Sequence, residues 1–175
     1  MKSDQRGYTL MELVVVVAII GIGVAIGMPN LLEWRKTLEL RNAASEVSAV
    51  LMQARTKAII DRTNYTVDFS ESGNTYTTTK WLAGATSKAG GSVTGRVSAA
   101  WRSVDIYDDD SDPVCPTFSG WDVVFRPNSS ADTAGYEAVY LRDTSVMLRY
   151  RVKVLGVTGR ITVEKWMGGS WVSAS

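Results

Sequence analysis

Sixteen consecutive uncharged residues, Leu13 to Met28, constrain this chain more than any other feature. The run reads LVVVVAIIGIGVAIGM, and no later part of the 175-residue sequence resembles it. Because a helix rises about 1.5 Å per residue, about 20 residues cross the roughly 30 Å of hydrocarbon in a bilayer, and the stretch from Tyr8 to Met28 is long enough. A core helix of a small domain would present a polar face, which this run lacks. The sequence therefore predicts a membrane-spanning segment.

A cleavable secretory signal is the main alternative, because Lys2 and Arg6 form a short basic start ahead of the apolar run. Two features argue against it. Glu12 interrupts the approach to the apolar run, and its exit, GMPN at 27–30, contains no A-x-A-like cleavage site. We therefore expect the segment to be retained.

Composition excludes the commonest catalytic centres. The chain has no histidine and a single cysteine, Cys115, so it offers no His/Cys zinc site, no Ser-His-Asp or Cys-His pair and no intrachain disulfide. We expect a protein that is not an enzyme and binds no cofactor. The alternative, an enzyme held outside the cytoplasm by an uncleaved signal, would need a carboxylate pair from the acidic stretch 101–141.

Residues 7–13 read GYTLMEL, between a short polar leader and the apolar run that ends at Pro29. This arrangement resembles the class III signal of type IV pilins and type II secretion pseudopilins. The resemblance implies that a prepilin peptidase cuts between Gly7 and Tyr8 and methylates the new N-terminus, leaving 175 − 7 = 168 residues. Most members have Phe where this chain has Tyr8.

Two residues of this segment are predicted to act in filament assembly. A glutamate costs about 2.5–3.5 kcal/mol at the centre of a bilayer and less near its surface, so Glu12 needs a partner. The resemblance implies that this partner is the N-terminal amine of a neighbouring subunit. Pro29 lacks an N–H and clashes with the carbonyl group four residues earlier, so the helix should loosen over residues 25–29.

The pattern beyond Pro29 predicts an α+β fold. Apolar residues recur at helical spacing, so one helix should run from about Thr9 to about Arg62, with an amphipathic second half. The period then changes to two, which predicts strands at 65–69, 75–81, 97–101, 122–125, 138–141, 146–154 and 160–166, with loops at 83–95 and 112–116. We expect the long helix to pack on an antiparallel β-sheet head.

Parts of the helix and head sharpen the resemblance. Residues 43–62, the VFRP turn at 124–127 and Gly159-Arg160 are similar to the GspH/FimT group of minor pilins and pseudopilins, which implies the pilin fold. Major pilins usually carry a C-terminal disulfide loop, which one cysteine cannot form. We divide the chain into a cleaved leader (1–7), a transmembrane and filament-core helix (8–29), an amphipathic helix half (30–62) and a β-rich globular head (63–175).

The net charge of +1 hides an uneven distribution. Residues 1–29 are neutral, 30–100 carry +3, 101–141 carry −6 and 142–175 carry +4, which sum to +1. In the last block Arg149, Arg151 and Lys153 alternate with apolar residues and should share one strand face, and a turn at 155–159 should bring Arg160 onto the neighbouring strand.

Such a basic ribbon holds phosphates through salt-sensitive contacts, whereas a solvated sheet face is the alternative interpretation. Some FimT-like minor pilins bind DNA through a C-terminal Gly-Arg-x-Arg element. Here Arg160 matches the first arginine, and Thr162 stands at the second position. DNA binding by these four cations is thus a hypothesis implied by the resemblance.

The acidic middle also contains candidate metal ligands. Asp108, Asp110 and Asp112 would suit a hard cation such as calcium, but the EF-hand spacing is missing and a solvated loop is the alternative. We assign no metal. Cys115 is predicted to lie in a loop or at an edge, with an intermolecular bridge in an oxidising compartment as the alternative.

Together these features predict a minor pilin or pseudopilin, a structural subunit of a type IV pilus or a type II secretion pseudopilus. Its expected partners are other pilins or pseudopilins in a helical filament, prepilin peptidase, inner-membrane lipid before assembly, and DNA in the FimT-like alternative. The chain should cross the inner membrane once with its head in the periplasm, and lie in an extracellular filament after assembly.

Overall fold

The computed structural model describes residues 9–70, 74–82, 88, 90–96, 104–106, 122–133, 136–143 and 148–174. The chain forms two compact units, Met1–Arg35 and Lys36–Ser175. Helix α1, Leu10–Asp61, has 52 residues and continues without a break through Pro29.

In the first unit the apolar run is helical and exposed. Leu10 is 82% exposed and Ile26 is 74% exposed. The helix is long and apolar enough to cross a membrane, and none of its most apolar window is buried within the protein. Because this surface is apolar all round, lipid or other apolar helices are needed to remove it from water.

The second unit contains nine described strands in two antiparallel sheets. They are β1 (Tyr65–Ser70), β2 (Thr75–Lys80), β3 (Ser92–Arg96), β4 (Val104–Ile106), β5 (Asp122–Phe125), β6 (Tyr136–Asp143), β7 (Arg149–Leu155), β8 (Ile161–Trp166) and β9 (Trp171–Ser173). The first sheet has the order β3-β2-β1-β5 and the second has the order β4-β6-β7-β8-β9. β1 and β2 are joined as neighbours, as are β6, β7, β8 and β9 in succession.

One hydrophobic core lies between the helix and both sheets. Residues at i, i+3, i+4 and i+7 spacing on α1 are fully buried, and four of them are alanines, whose small side chains let strands approach the helix closely. The first sheet contributes Val67 and Phe125, and the second contributes Leu141 and Val152. The buried helix positions are Leu40, Ala43, Ala44, Val47, Leu51, Ala54 and Ala58.

Polar contacts fix the end of α1. Arg62 has a φ of 51°, the left-handed conformation that commonly ends a helix. Just before it, Asp61 Oδ2 accepts hydrogen bonds of 2.6 Å from Tyr65 Oη and from Lys80 Nζ. The hydrogen bond from Lys80, followed by that from Tyr65, lowers the pKa of the Asp61 carboxyl. The helix end is thereby attached to β1 and β2.

A single asparagine in the β1–β2 turn links the two sheets. Asn74 Oδ1 accepts a hydrogen bond of 2.8 Å from the backbone N–H of Ile106 in β4. Its Nδ2 donates to the carbonyl oxygen of Val104 at 3.2 Å and to Asp105 Oδ1 at 3.0 Å. Both functional ends of one amide therefore hold the edge strand of the second sheet beside the first.

The predicted α+β architecture, a long helix on antiparallel strands, is confirmed. The expected loop at 83–95 is wrong over residues 92–95, which belong to β3. Gly95 there lies opposite Tyr76, where an added Cβ would come within 2.4 Å of the ring, so it serves close packing within a sheet.

β4 and β9 were not predicted, since three residues are too few to establish a period. The predicted strand 97–101 and loop 112–116 lie outside the described residues.

Candidate functional site

The start of α1 carries a helix cap. Thr9 Oγ1 accepts a hydrogen bond of 3.3 Å from the backbone N–H of Glu12, which occupies the third helical position. Thr-x-x-Glu is the spacing of a capping box, so the sequence itself carries the signal for this cap. Gly7 and Tyr8, the predicted cleavage and methylation residues, lie outside the described residues.

Glu12 lies in the first helical turn of an exposed apolar segment. A carboxylate at this place interacts favourably with the positive end of the helix dipole. Among the described residues its carboxylate has no cationic partner. The predicted pairing with a neighbouring N-terminus stays a prediction, as does the loosening of the helix before Pro29.

The predicted alternation of β7 is present. Tyr150, Val152 and Val154 are buried toward the core, whereas Arg149, Arg151 and Lys153 are half-buried on the other face. Arg160 does not join the neighbouring strand, because β8 begins at Ile161. Its carbonyl oxygen instead accepts a hydrogen bond of 2.9 Å from the N–H of Leu155, which closes the β7–β8 turn.

Within this basic face Arg151 is held by three neighbours. Its Nε and Nη2 donate to Glu164 Oε2 at 2.6 and 2.5 Å, and the two side chains are only 13% and 18% exposed. The guanidinium also lies 4.5 Å from the ring centroid of Trp171 and 5.9 Å from that of Tyr136. Glu164 sits opposite Arg151 on β8, so a charge that looked available for phosphate is neutralised within the fold.

The remaining cations of the ribbon have different surroundings. Lys153 Nζ lies 4.2 Å from the ring centroid of Tyr136, and Arg149 also has interactions within the protein. Arg160 is exposed beside the turn after Leu155, at the far end of β7 from Arg149. Since strands rise about 3.3 Å per residue, about 20 Å separates the two ends of this strand. The four predicted residues therefore do not form one compact cluster, and DNA binding stays a prediction.

Arg55 of α1, in the stretch 43–62, bonds to two turns that adjoin the VFRP and Gly159-Arg160 stretches. Arg55 Nε donates to the carbonyl oxygen of Ser129 at 3.3 Å, in the turn after β5, and Nη2 donates to that of Thr158 at 3.0 Å. Gly159 has a φ of 58°, and a Cβ at this position would lie 2.0 Å from the Ser129 carbonyl oxygen. Gly159 is thus required by backbone conformation and space.

A carboxyl group with an altered pKa lies where β6 begins. Burial, followed by the charges of Asp122 and Asp132, raises the pKa of Glu137 from 4.5 to about 7. Lys88 forms ion pairs with Asp122 and Asp68, and Arg126 pairs with Asp132 at 2.6 Å. Cations thus pair with the other carboxylates, while Glu137, with a pKa of about 7, exchanges its proton near neutral pH.

In the part of the chain that the structure describes, no group of three or more His, Cys, Asp or Glu side chains is placed to hold a metal ion. The weak calcium candidates, Asp108, Asp110 and Asp112, lie outside that part, as does Cys115. Calcium binding by these aspartates stays a hypothesis from the sequence.

Two protein families match parts of the chain. The prokaryotic N-terminal methylation motif matches residues 2–28, and the family of the type II transport protein GspH matches residues 43–169. A curated "Fimbrial protein" of Pseudomonas aeruginosa is 38% identical over 78 residues, which cover 39% of this chain and 51% of the relative. The chain thus spans about half the length of the curated relatives it matches.

Two solved structures were compared with the chain by superposition. The type IV minor pilin FimU of P. aeruginosa superimposes with a TM-score of 0.51 at 16% identity, over 81% of this chain and 99% of that one. The minor pseudopilin EpsH of the Vibrio cholerae type 2 secretion system has a TM-score of 0.45 at 12% identity, over 75% and 99% of the two chains. The similarity to FimU supports a common fold for the long helix and its antiparallel sheets.

Proposed function

The chain belongs to the family of the type II transport protein GspH, and from this membership we propose that it is a minor pilin or pseudopilin assembled into a type IV pilus or a type II secretion pseudopilus. The family match covers residues 43–169 and confirms the predicted resemblance. The observation that carries the proposal is that an N-terminal methylation motif stands directly ahead of this family domain in one chain.

The N-terminal match supports processing by a prepilin peptidase. In this proposal the enzyme cuts between Gly7 and Tyr8 and methylates the amine of Tyr8. The first described helical residue, Leu10, follows the cut by three positions, and Thr9 caps the helix. The cut would thus leave the capped helix complete.

Assembly is proposed to use the exposed part of α1. Before assembly the apolar segment anchors the chain in the inner membrane, with the head in the periplasm. In the filament, helices of other pilin subunits replace lipid around the same surface. The carboxylate of Glu12 then pairs with the N-terminal amine of a neighbour, which offsets the free energy of placing a charge in apolar surroundings. The role is structural rather than enzymatic, as in the family it belongs to.

Processing can be tested by expressing the full chain with and without a prepilin peptidase. We expect the enzyme to shorten the 175-residue chain by seven residues and leave 168, as read by intact-mass measurement. Gly7→Val should block the cut because the bulky side chain occupies the peptidase subsite for glycine. If Gly7→Val were shortened by the same amount as the parent chain, the proposal would be wrong.

Assembly is tested separately with Glu12→Gln. This variant should be cut normally, because the change lies five residues beyond the scissile bond, yet it should be lost from sheared filaments. Glu33→Gln is a matched control, a carboxylate of the same helix outside the apolar run, and should be incorporated like the parent. Incorporation of Glu12→Gln at the parent level would contradict the proposed pairing.

A further inference from the structure

A groove of about 250 Å³ opens between α1 and the outer strands of the second sheet. It lies within Lys36–Ser175 and is separate from the apolar helix used in the proposed assembly. Two of its lining residues are large and exposed, with Met167 at 61% and Val172 at 47%. The lining includes Arg41, Tyr150, Lys165, Met167, Val172 and Ala174.

Two cations face this groove from opposite walls. Tyr150, Lys165 and Val172 are register partners across β7, β8 and β9, and Tyr150 packs into the core, so the row lies on the helix-facing side of the sheet. Burial raises the pKa of the Tyr150 hydroxyl, and the positive charge of Arg41 partly opposes this rise. Arg41 on α1 therefore lies close to Tyr150. A basic pair therefore borders an apolar floor.

These cations are not neutralised by the described part of the protein. Neither Arg41 nor Lys165 forms an ion pair with a described carboxylate. Arg151, by comparison, is held by Glu164 on the opposite face of the same strands. The groove thus combines exposed apolar surface with two positive charges, which complements an acidic ligand that also has an apolar part.

The groove is bordered by the edge of a sheet. β9 is the last strand of the second sheet, and in the described part of the chain no strand pairs with its outer side. The N–H of Ala174 bonds to the Val163 carbonyl and that of Met167 bonds to the Ser170 carbonyl. Because bonding alternates along an antiparallel strand, the backbone groups of Trp171 and Ser173 point outward. They are available to an added strand.

We propose that the groove binds an extended acidic peptide segment presented by a neighbouring filament subunit. The segment adds antiparallel to the edge of β9 and places one carboxylate side chain between Arg41 and Lys165. Aliphatic side chains two residues before and after the carboxylate share its face and cover Met167 and Val172. This inference rests on the proposed function, because a filament supplies the neighbour, and it names the surface by which the head recognises it.

The test uses the full chain in neutral dodecyl maltoside micelles and two fluorescein-labelled peptides, Val-Thr-Glu-Thr-Val and Val-Thr-Gln-Thr-Val, with blocked ends. Fluorescence polarisation measures their affinities. An ion pair at a partly exposed site contributes up to about 1 kcal/mol, so we expect the Glu peptide to bind about fivefold more tightly. Methylation of the amide nitrogens of the two threonines beside the central residue should weaken binding further, because in the antiparallel addition these N–H groups bond to β9.

Arg41→Gln/Lys165→Gln should bring the two peptide affinities together, whereas Lys57→Gln, an exposed cation on the same helix, should keep the parent preference. Equal affinities for the parent chain, a preference that persists in the double variant, or no binding of either peptide would overturn the inference. Binding of phosphatidylglycerol in dodecyl maltoside micelles, or of a thymidine oligonucleotide, would overturn the inference in favour of those ligands if it were stronger than peptide binding and depended on Arg41 and Lys165. An unchanged affinity after amide methylation would overturn the strand-addition geometry.

Leader removal distinguishes this inference from the proposed function. If the parent chain is cut after Gly7 and incorporated but shows no preference for the Glu peptide, only the groove assignment fails. If the chain is not cut, the proposed function fails whatever the peptides do.

Discussion

Arg55 Nη2 donates a hydrogen bond of 3.0 Å to the carbonyl oxygen of Thr158, a residue 103 positions later in the sequence. Its Nε donates to Ser129, so one side chain on α1 holds the turn after β5 and the turn before β8. The VFRP and Gly-Arg stretches flank these two turns. The contacts of Arg55 and the conformation of Gly159 therefore have a structural role that involves neither DNA nor catalysis.

Replacing Arg55 should destabilise the head. Arg55→Met leaves two backbone carbonyl groups without their charged donor, and hydrogen bonds to charged groups contribute about 1.5–3 kcal/mol. We expect the free energy of unfolding to fall by about 2 kcal/mol in urea titrations followed by tryptophan fluorescence. Lys57→Met, an exposed cation two positions along, should change it by less than about 0.5 kcal/mol. Equal losses for the two variants would contradict the contacts described for Arg55.

Gly159→Ala should also destabilise the head, for two separable reasons. The left-handed conformation is unfavourable for alanine by about 1 kcal/mol, and the new Cβ would meet the Ser129 carbonyl oxygen. Gly168→Ala is the matched control, because Gly168 has a φ of 63° and nothing within 4 Å of the added Cβ. The Gly159 variant should have the lower melting temperature. Identical melting temperatures would show that the contact with Ser129 is relieved without cost.

Glu164→Gln should weaken the second sheet, because it leaves the guanidinium of Arg151 mostly buried without a counter-ion. Removing one partner of a buried pair costs about 3–5 kcal/mol, and the partial exposure of this pair reduces the expected loss to about 2 kcal/mol. Asp132→Asn breaks the ion pair between Asp132, which is 55% exposed, and Arg126, which is 48% exposed. This change should lower the free energy of unfolding by less than about 1 kcal/mol. Chemical denaturation of the two variants measures the difference, and a larger loss for Asp132→Asn would refute the assignment.

Glu137 should make the head less stable as the pH rises. Its pKa is about 7 in the folded protein against 4.5 in a free side chain, so the folded state retains the proton that the unfolded state loses. The stabilising contribution is complete below pH 4.5 and is lost between about pH 4.5 and 7. Because the carboxyl is partly exposed, we expect a loss of about 1–2 kcal/mol.

Glu137→Gln isolates this contribution, since its amide cannot ionise. The unfolding free energies of the parent and the variant, measured from pH 4 to pH 8, should diverge as pH rises, with the variant more stable at pH 8. Parallel curves would exclude the proposed pKa of Glu137.

The DNA-binding alternative is best tested away from Arg151, whose replacement would disturb folding. It predicts that Lys153→Gln/Arg160→Gln weakens the salt-sensitive retardation of double-stranded DNA by the full chain. Arg126→Gln, an exposed arginine outside the predicted ribbon, serves as the control. Unchanged retardation by the double variant would assign any DNA binding to other cations.

Local patterns predicted most of the secondary structure because the forces behind them act between near neighbours in sequence. The helix from Leu10 to Asp61 and the alternation in β1 and β7 follow from periods of 3.6 and two. Strand β3 was missed because its glycine and serine residues have low strand propensity. Its position depends on pairing with β2, where Tyr76 covers Gly95.

The candidate functional residues also fall into two groups, those that local sequence predicts and those that only the tertiary structure brings together. Gly7, Glu12 and the apolar run follow one another closely in sequence. Their order alone was enough to predict a cleaved leader, a carboxylate that acts in assembly and a membrane anchor. The sequence also placed Arg151 on one face of β7. Only the tertiary structure brought Glu164 and Trp171 against that guanidinium and left Arg41 and Lys165 facing a groove, because hydrogen bonds and ion pairs depend on distances that strand pairing and helix packing establish.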